Sequence, residues 1–210
     1  MGKLETLNTG TTTLGIVCKD AILFAADRRA TAGNFIANKN ISKIMQINEH
    51  MALTVAGTVS DVQLMVKYLK AELKLKSVRT GRNNTVKEAA NLLAGMVYNN
   101  IRKFSAIPGI SHFLFGGYDN TGCQLYEIYP DGSITKIEDF VSSGSGSVMV
   151  YGVLETSYKP DMNGKEAEEL ALRSMKGALL RDSASGNGVD IITISKAGVK
   201  QTYEKTIPGF

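Results

Sequence analysis

The segment Thr9-Gly10-Thr11-Thr12-Thr13, near the start of the chain, contains the residue types needed for a hydroxyl nucleophile. A threonine hydroxyl is a weak nucleophile at neutral pH and needs an adjacent base. A free α-amino group, with a reference pKa of about 7.7–8.0, can accept a proton at working pH. Cleavage between Gly10 and Thr11 would therefore give one residue both groups. The alternative is that Gly10 is only a flexible lead into a β-strand.

Two charged residues are placed to assist such an amine. Lys43 comes at the start of a predicted strand with apolar neighbours, so its side chain either reaches solvent or is held inward by a carboxylate. Asp27 ends an apolar strand and is a candidate for that carboxylate. The alternatives are a solvated lysine and an ordinary turn aspartate.

Three glycine- or serine-containing segments have two interpretations each. Gly57 lies between a predicted strand and a predicted helix, where its backbone N–H would suit a developing oxyanion or simply serve a turn. The run 143–147, Ser-Gly-Ser-Gly-Ser, is typical of a flexible linker or of a tight turn that feeds a helix. The run 181–188 is either a helix end and loop or a network of hydroxyls and a carboxylate.

The apolar periodicity predicts strands, two helices, strands, two helices and strands. Thr85 and Glu88 form a capping-box pattern at the start of the second helix. This order favours an α+β fold with antiparallel sheets. The predicted strands are 12–18, 21–26, 42–47, 51–56, 112–116, 124–129, 133–138, 190–195 and 199–203, and the predicted helices are 60–76, 85–101, 147–158 and 164–181.

The composition predicts one globular domain. The chain has 210 residues, of which 43% are hydrophobic and 21% charged. The formal charge is +4 and the basic residues are scattered, so we expect no nucleic-acid partner. No apolar run approaches the roughly 18 residues of a membrane span, and no hydrophobic leader is present, so we expect a cytoplasmic protein. The two histidines, His50 and His112, lie in no metal-binding or Ser-His motif.

In this order, the motifs resemble the β-type subunits of the archaeal and eukaryotic 20S proteasome. The resemblance runs from about Thr9 to Ile194, nearly the whole chain, and the short leader favours the archaeal type. It is carried by Thr9–Thr13, Ala26-Asp27-Arg28-Arg29, Lys43, Ala56-Gly57, Gly144–Ser147 with Tyr151–Glu155, and Arg181–Gly186.

The resemblance implies a four-layer αββα sandwich, in which two antiparallel sheets lie between helix pairs, of the N-terminal nucleophile (Ntn) hydrolase class. Residues 1–10 would be a propeptide removed by autocleavage between Gly10 and Thr11, and residues 11–210 a single catalytic domain. Thr11 would be the nucleophile and its freed amine the proton acceptor, with no metal or organic cofactor. The other implied catalytic residues are Lys43, which tunes the amine; Asp27, which orients Lys43; Gly57, the oxyanion donor; and Ser145, Asp182 and Ser185, which hold the amine and a water.

The same resemblance implies a threonine endopeptidase that degrades unfolded proteins to short peptides. The implied partners are other β subunits in a seven-membered ring, two such rings stacked, α-subunit rings at the ends and a regulatory ATPase. Because most of the implied pocket residues are apolar, we expect cleavage after hydrophobic residues. The implied substrate-binding residues are Ala30, Thr31, Ile41, Met45, Val55 and Val59.

Three rival functions stay open. A non-catalytic ring subunit usually lacks the threonine, Lys43 or Asp27, and all three are present here. A bacterial-type two-ring threonine peptidase is normally shorter and lacks the later signature at 182–188. An amidase for small molecules would share the nucleophile but not the tail motifs, and would be active as a free small oligomer.

Overall fold

A computed structural model describes residues 10–105 and 109–206 of the chain. Most of the predicted leader, residues 1–9, and the last four residues of the predicted domain lie outside this part. The elements in chain order are β1 (Thr12–Val17), β2 (Ala21–Asp27), β3 (Ala30–Ala32), β4 (Phe35–Asn38), β5 (Ile44–Asn48), β6 (Met51–Gly57), α1 (Val59–Thr80), α2 (Val86–Ile101), β7 (Ser111–Asp119), β8 (Gly122–Ile128), β9 (Ile134–Ile137), β10 (Phe140–Gly144), α3 (Ser147–Ser157), α4 (Gly164–Arg181), β11 (Gly188–Ser195) and β12 (Gly198–Thr206).

The strands form two five-stranded antiparallel sheets. One sheet, called the nucleophile sheet here, has the order β10-β1-β2-β11-β12. The other, called the pocket sheet, has the order β5-β6-β7-β8-β9. Strands β3 and β4 form a separate short hairpin after β2.

Three apolar clusters fill the spaces between four layers. Helices α1 and α2 pack on the pocket sheet through residues such as Leu69, Leu93 and Phe113. Helices α3 and α4 pack on the nucleophile sheet through residues such as Leu14 and Met175. A third cluster, which includes Phe24, Leu114 and Leu125, lies between the sheets. The αββα sandwich expected from the sequence is therefore confirmed.

The ends of the helices follow from local chemistry. In α2 the Thr85 hydroxyl accepts from the Glu88 N–H, and the Glu88 carboxylate accepts from the Thr85 N–H, which confirms the predicted capping box. Helix α1 runs to Thr80, beyond the predicted end at residue 76, because Gly81 adopts a left-handed conformation (φ 67°) and its N–H caps the Ser77 carbonyl. Among the described residues, no helix has the length and apolarity needed to span a membrane.

Three strands were not predicted, and two begin later than expected: β5 by two residues and β9 by one. Strands β3 and β4 are short and largely exposed, so they carry little hydrophobic signal. Strand β10 contains Ser142, Ser143 and Gly144, which the sequence assigned to a linker or left unassigned. Strand β5 begins at Ile44, so Lys43 lies one residue before the strand on which it was predicted.

Candidate active site

Thr11 directly precedes β1, the strand that β10 and β2 hold from both sides. The residue is 5% exposed. Its hydroxyl donates to the carbonyl oxygen of Gly10 at 2.7 Å, and its backbone N–H donates to the Ser145 hydroxyl at 3.3 Å. The predicted nucleophile is thus held against the carbonyl of the peptide bond that would be cleaved.

Close packing explains why residue 10 is glycine. A Cβ atom on Gly10 would lie 1.8 Å from the Cβ atom of Ala184, in the loop after α4. The Gly10 N–H donates to the Thr31 hydroxyl at 2.9 Å, and that bond is buried. The residue before the candidate cleavage site is therefore fixed by both its neighbours and its backbone.

Lys43 and Asp27 meet beneath the Gly10–Thr11 peptide. The Lys43 Nζ atom lies 2.6 Å from Asp27 Oδ1, and their side chains are 6% and 0% exposed. The same Nζ donates to the Gly10 carbonyl oxygen at 3.5 Å. Burial lowers the pKa of the Lys43 amine, and the Asp27 carboxylate opposes that shift. The structure thus favours the inward lysine over the solvated one.

Asp27 connects four segments of the chain. Besides the Lys43 amine, its carboxylate accepts three backbone N–H groups, from Thr12 at 2.9 Å, Arg29 at 3.0 Å and Gly186 at 3.1 Å. A buried carboxylate with this many donors is held in one orientation. A turn aspartate would account for the Arg29 bond alone, not for the bonds from Thr12, Lys43 and Gly186.

A second carboxylate, that of Asp182 at the end of α4, collects hydroxyl groups. Ser145 and Ser185 both donate to its Oδ2 atom, each at 2.6 Å. The Ser185 hydroxyl also lies 2.6 Å from the Thr12 hydroxyl, and the Ser145 hydroxyl donates to the Thr11 carbonyl at 3.3 Å. The segment 181–188 therefore forms a network of hydroxyls and a carboxylate, which was one of its two interpretations from the sequence. Ser145, in the segment 143–147, belongs to the same network.

Arg29 supports the loop that follows α4. The sequence analysis included it in a family motif but gave it no role. Its Nε donates to the Asn187 side-chain oxygen at 2.8 Å, and one guanidinium nitrogen donates to the Ser183 carbonyl at 2.8 Å. Gly186 passes so close that a Cβ atom there would lie 2.4 Å from the guanidinium carbon. The signal in the sequence is a charged residue directly after a buried strand, but its partners are more than 150 positions away.

A cavity of about 230 Å³ opens beside Thr11. All six predicted substrate-binding residues line it, as do Gly57 and Lys43. Sequence reasoning missed four further lining residues, which lie on the unpredicted hairpin, just before β5 and in the first two turns of α1: Ala37, Ser42, Val62 and Gln63. A larger surface depression between α4 and the β11–β12 hairpin contains none of the predicted site residues.

The described residues include no cluster of three or more His, Cys, Asp or Glu side chains placed to hold a metal ion. The charged groups around Thr11 are instead the Lys43 amine and the carboxylates of Asp27 and Asp182.

The sandwich, with a nucleophile candidate just before its first strand, defines the Ntn-hydrolase class. A family model described as "Proteasome subunit" matches residues 7–194, so the chain belongs to the proteasome subunit family. Its relatives include proteins named "Proteasome subunit beta". That of Ferroglobus placidus is 44% identical over 89% of this chain and 87% of its own length. That of Archaeoglobus fulgidus is 43% identical over 91% and 88%, and that of Methanothermobacter thermautotrophicus 43% identical over 94% and 92%.

Proposed function

We propose that this chain is the peptidase subunit of an archaeal-type 20S proteasome core and that Thr11 is its nucleophile. The observation that carries the proposal is the arrangement at one carbonyl group. The oxygen of Gly10 accepts from both the Thr11 hydroxyl and the Lys43 amine. This arrangement suits attack by a residue on the peptide bond that precedes it.

The first reaction is self-cleavage. The Thr11 Oγ1 bonds to the Gly10 carbonyl carbon, the Gly10–Thr11 C–N bond breaks, and the hydroxyl proton passes to the departing nitrogen. The result is an ester between Gly10 and Oγ1 and a free α-amino group. Water then hydrolyses the ester, which leaves a carboxylate on Gly10 and restores the Thr11 hydroxyl. Lys43 stabilises the negative charge that develops on the Gly10 oxygen.

The second reaction uses the freed amine as a base. It takes the proton of the Thr11 hydroxyl as Oγ1 attacks a substrate carbonyl carbon. The Gly57 N–H, at the wall of the same cavity, donates to the resulting oxyanion. The proton then passes to the leaving amine, and an acyl ester remains on Thr11. Water, deprotonated by the same amine, hydrolyses that ester.

The surrounding charges keep this amine in its working form. The nearby Lys43 cation disfavours protonation of the amine, which lowers its pKa toward neutral pH. Ser145 already contacts the Thr11 nitrogen, and it donates to the Asp182 carboxylate, which also accepts from Ser185. The buried Lys43–Asp27 pair also argues against a non-catalytic ring subunit, since a structural role gives no reason to keep a buried charge at this carbonyl.

The cavity and the relatives support finer proposals about substrate and assembly. Five lining residues predicted from the sequence are apolar, which favours cleavage after hydrophobic residues. The relatives' printed names support assembly with other proteasome subunits. We extend this to paired seven-membered β rings between α rings, fed by an ATPase in the cytoplasm, where confinement would protect other proteins from cleavage.

The test compares Thr11→Val with Thr11→Ser, co-expressed with the α subunit. Valine keeps the shape of threonine and removes the oxygen, so the leader stays attached and peptide hydrolysis is lost; serine retains cleavage and turnover. Thr13→Val is the matched control, because that hydroxyl is buried and makes no hydrogen bond among the described residues. Intact mass and a fluorogenic peptide assay give the readouts. Peptide hydrolysis by the Thr11→Val particle, or by a particle that retains residues 1–10, would overturn the proposal.

A further inference from the structure

We propose that His112 is a positioning residue that holds the nucleophile sheet against the pocket sheet beside Thr11. The inference rests on the proposed function and adds a residue to it. His112 is one of the two histidines in the chain. No role was assigned to it by its sequence context.

The His112 ring is held at both nitrogens. Its Nδ1 lies 2.7 Å from the Ser143 hydroxyl and its Nε2 lies 3.0 Å from Glu127 Oε1. The Tyr129 hydroxyl donates to the other oxygen of Glu127 at 2.7 Å, and the Tyr129 ring stacks on the imidazole with centroids 5.3 Å apart. The His112 and Glu127 side chains are 21% and 9% exposed. The ring therefore has one fixed orientation.

The contact between His112 and Ser143 joins the two sheets. His112 is on β7, opposite Ala56 of β6, one residue before Gly57. Ser143 is on β10, opposite Thr13 of β1. The contact thus connects a strand that flanks the oxyanion donor to a strand that flanks the nucleophile.

The residue after Ser143 touches the nucleophile directly. A Cβ atom on Gly144 would lie 1.9 Å from the carbonyl oxygen of Thr11, so the two backbones are in close contact. A shift of Ser143 would therefore pass through the adjacent Gly144 to Thr11. A second link between the sheets is the ion pair of Lys43, which directly precedes β5 of the pocket sheet, with Asp27, which ends β2 of the nucleophile sheet. Strands β1 and β6 each lie between these two links, which together fix the separation of Thr11 and Gly57.

This geometry predicts an effect on the chemical step more than on binding. The substrate pocket is lined mainly by residues of the β3–β4 hairpin, the pocket sheet and α1, and loss of the His112–Ser143 contact leaves those residues in place. Misplacement of a nucleophile by about 1 Å relative to its oxyanion donor can cost about a hundredfold in rate. We therefore expect kcat to fall while KM changes little.

The test uses variants that separate the two contacts of the ring. Ser143→Ala removes one oxygen atom from the link. His112→Asn places an amide near the position of Nδ1 and can keep the Ser143 contact, whereas His112→Gln places it near Nε2 and keeps only the Glu127 contact. The matched controls are His50→Asn and His50→Gln, at the other histidine, in the β5–β6 turn.

We measure kcat and KM with a fluorogenic peptide on assembled particles whose mature mass is confirmed. Ser143→Ala and His112→Gln should lower kcat by about tenfold with KM within about twofold, and His112→Asn should retain kcat within about threefold. The His50 variants should match the wild type. Unchanged kcat in Ser143→Ala and His112→Gln, or equal losses in all three variants, would overturn the inference. Failure of the proposed function is distinguishable, since the wild type itself would then be unprocessed or inactive.

Discussion

The Nζ atom of Lys43 lies 2.6 Å from Oδ1 of Asp27 in an ion pair that is almost wholly buried. Buried charges are costly unless they are paired and hydrogen-bonded, and Asp27 satisfies that condition with three further N–H donors. An apolar pair of similar volume would be at least as stable. The pair is therefore better explained by the chemistry at the Gly10 carbonyl than by a contribution to stability.

The first prediction separates the catalytic role of Lys43 from its structural role. Lys43→Met keeps most of the length of the side chain but leaves Asp27 buried without its cation, so we expect a lower melting temperature, no leader cleavage and loss of peptide hydrolysis by at least about a hundredfold. In the double variant Asp27→Asn/Lys43→Met both charges are absent. It should recover much of the melting temperature but none of the activity. Recovery of activity in the double variant would mean that Lys43 only neutralises Asp27.

The second prediction concerns the fit of Gly10. Gly10→Ala would bring a Cβ atom within 1.8 Å of Ala184 Cβ, so the Gly10 carbonyl must move and leader cleavage should slow by at least about tenfold. The released particle no longer contains residue 10, so its kcat should equal that of the wild type. Adding Ala184→Gly removes the overlapping atom and should restore the cleavage rate. Time-resolved intact mass measures the rate, and a failure of this rescue would show that crowding is not the cause.

The parts of the fold and site that depend on local contacts could be predicted from the sequence more fully than those that depend on distant contacts. The extended conformation of β1, the apolar face of α1 and the capping box at Thr85 depend on neighbours in sequence, and all three were predicted. The network around Asp27 depends on segments up to 159 positions apart, and residue types alone left its alternatives open until the family motifs were compared.

Strand β10 shows why a polar strand escapes detection. Ser142 donates to the Thr13 carbonyl, and the Ser143 hydroxyl meets His112, so the polar side chains of this strand are satisfied by distant partners. A pattern search looks for alternating apolar residues and interprets serine and glycine as a linker. The strand is nonetheless fixed, because it pairs with β1 along its whole length.

The third prediction concerns pH and the start of α2. The hydrogen bond from Arg82, with those from the Thr85 backbone and Lys76, holds the pKa of Glu88 well below its usual value of 4.5. Glu88 therefore stabilises the fold above pH 4.5, and this contribution is lost as the pH falls below 4.5 toward the lowered pKa. Glu88→Gln keeps the capping box but loses the ion pairs with Lys76 and Arg82, so it should lower the melting temperature by about 1–3 °C at pH 7.

The difference in melting temperature between wild type and Glu88→Gln should shrink steadily as the pH falls below 4.5. The wild type then loses the stabilisation from the Glu88 charge, which the variant lacks at every pH. Thermal melts of the uncleaved subunit across this range measure it. Glu72→Gln, on an exposed position of α1, is the matched control and should show no such convergence. A constant difference at all pH values would show that the charge of Glu88 contributes nothing.

The fourth prediction concerns specificity at the cavity beside Thr11. Val55 lies on β6, two residues before Gly57, and contributes an apolar wall to the cavity. Val55→Arg would place a guanidinium there, which would attract the carboxylate of an acidic substrate residue. Two peptides are compared, one that ends in glutamate and one that ends in leucine. We expect kcat/KM for the glutamate peptide, relative to the leucine peptide, to rise by at least about tenfold. Val55→Met adds length without charge and should keep the preference for leucine. A wild-type enzyme that already prefers glutamate or lysine over leucine, or an arginine variant with the wild-type ratio, would show that this cavity does not receive the residue before the cleaved bond.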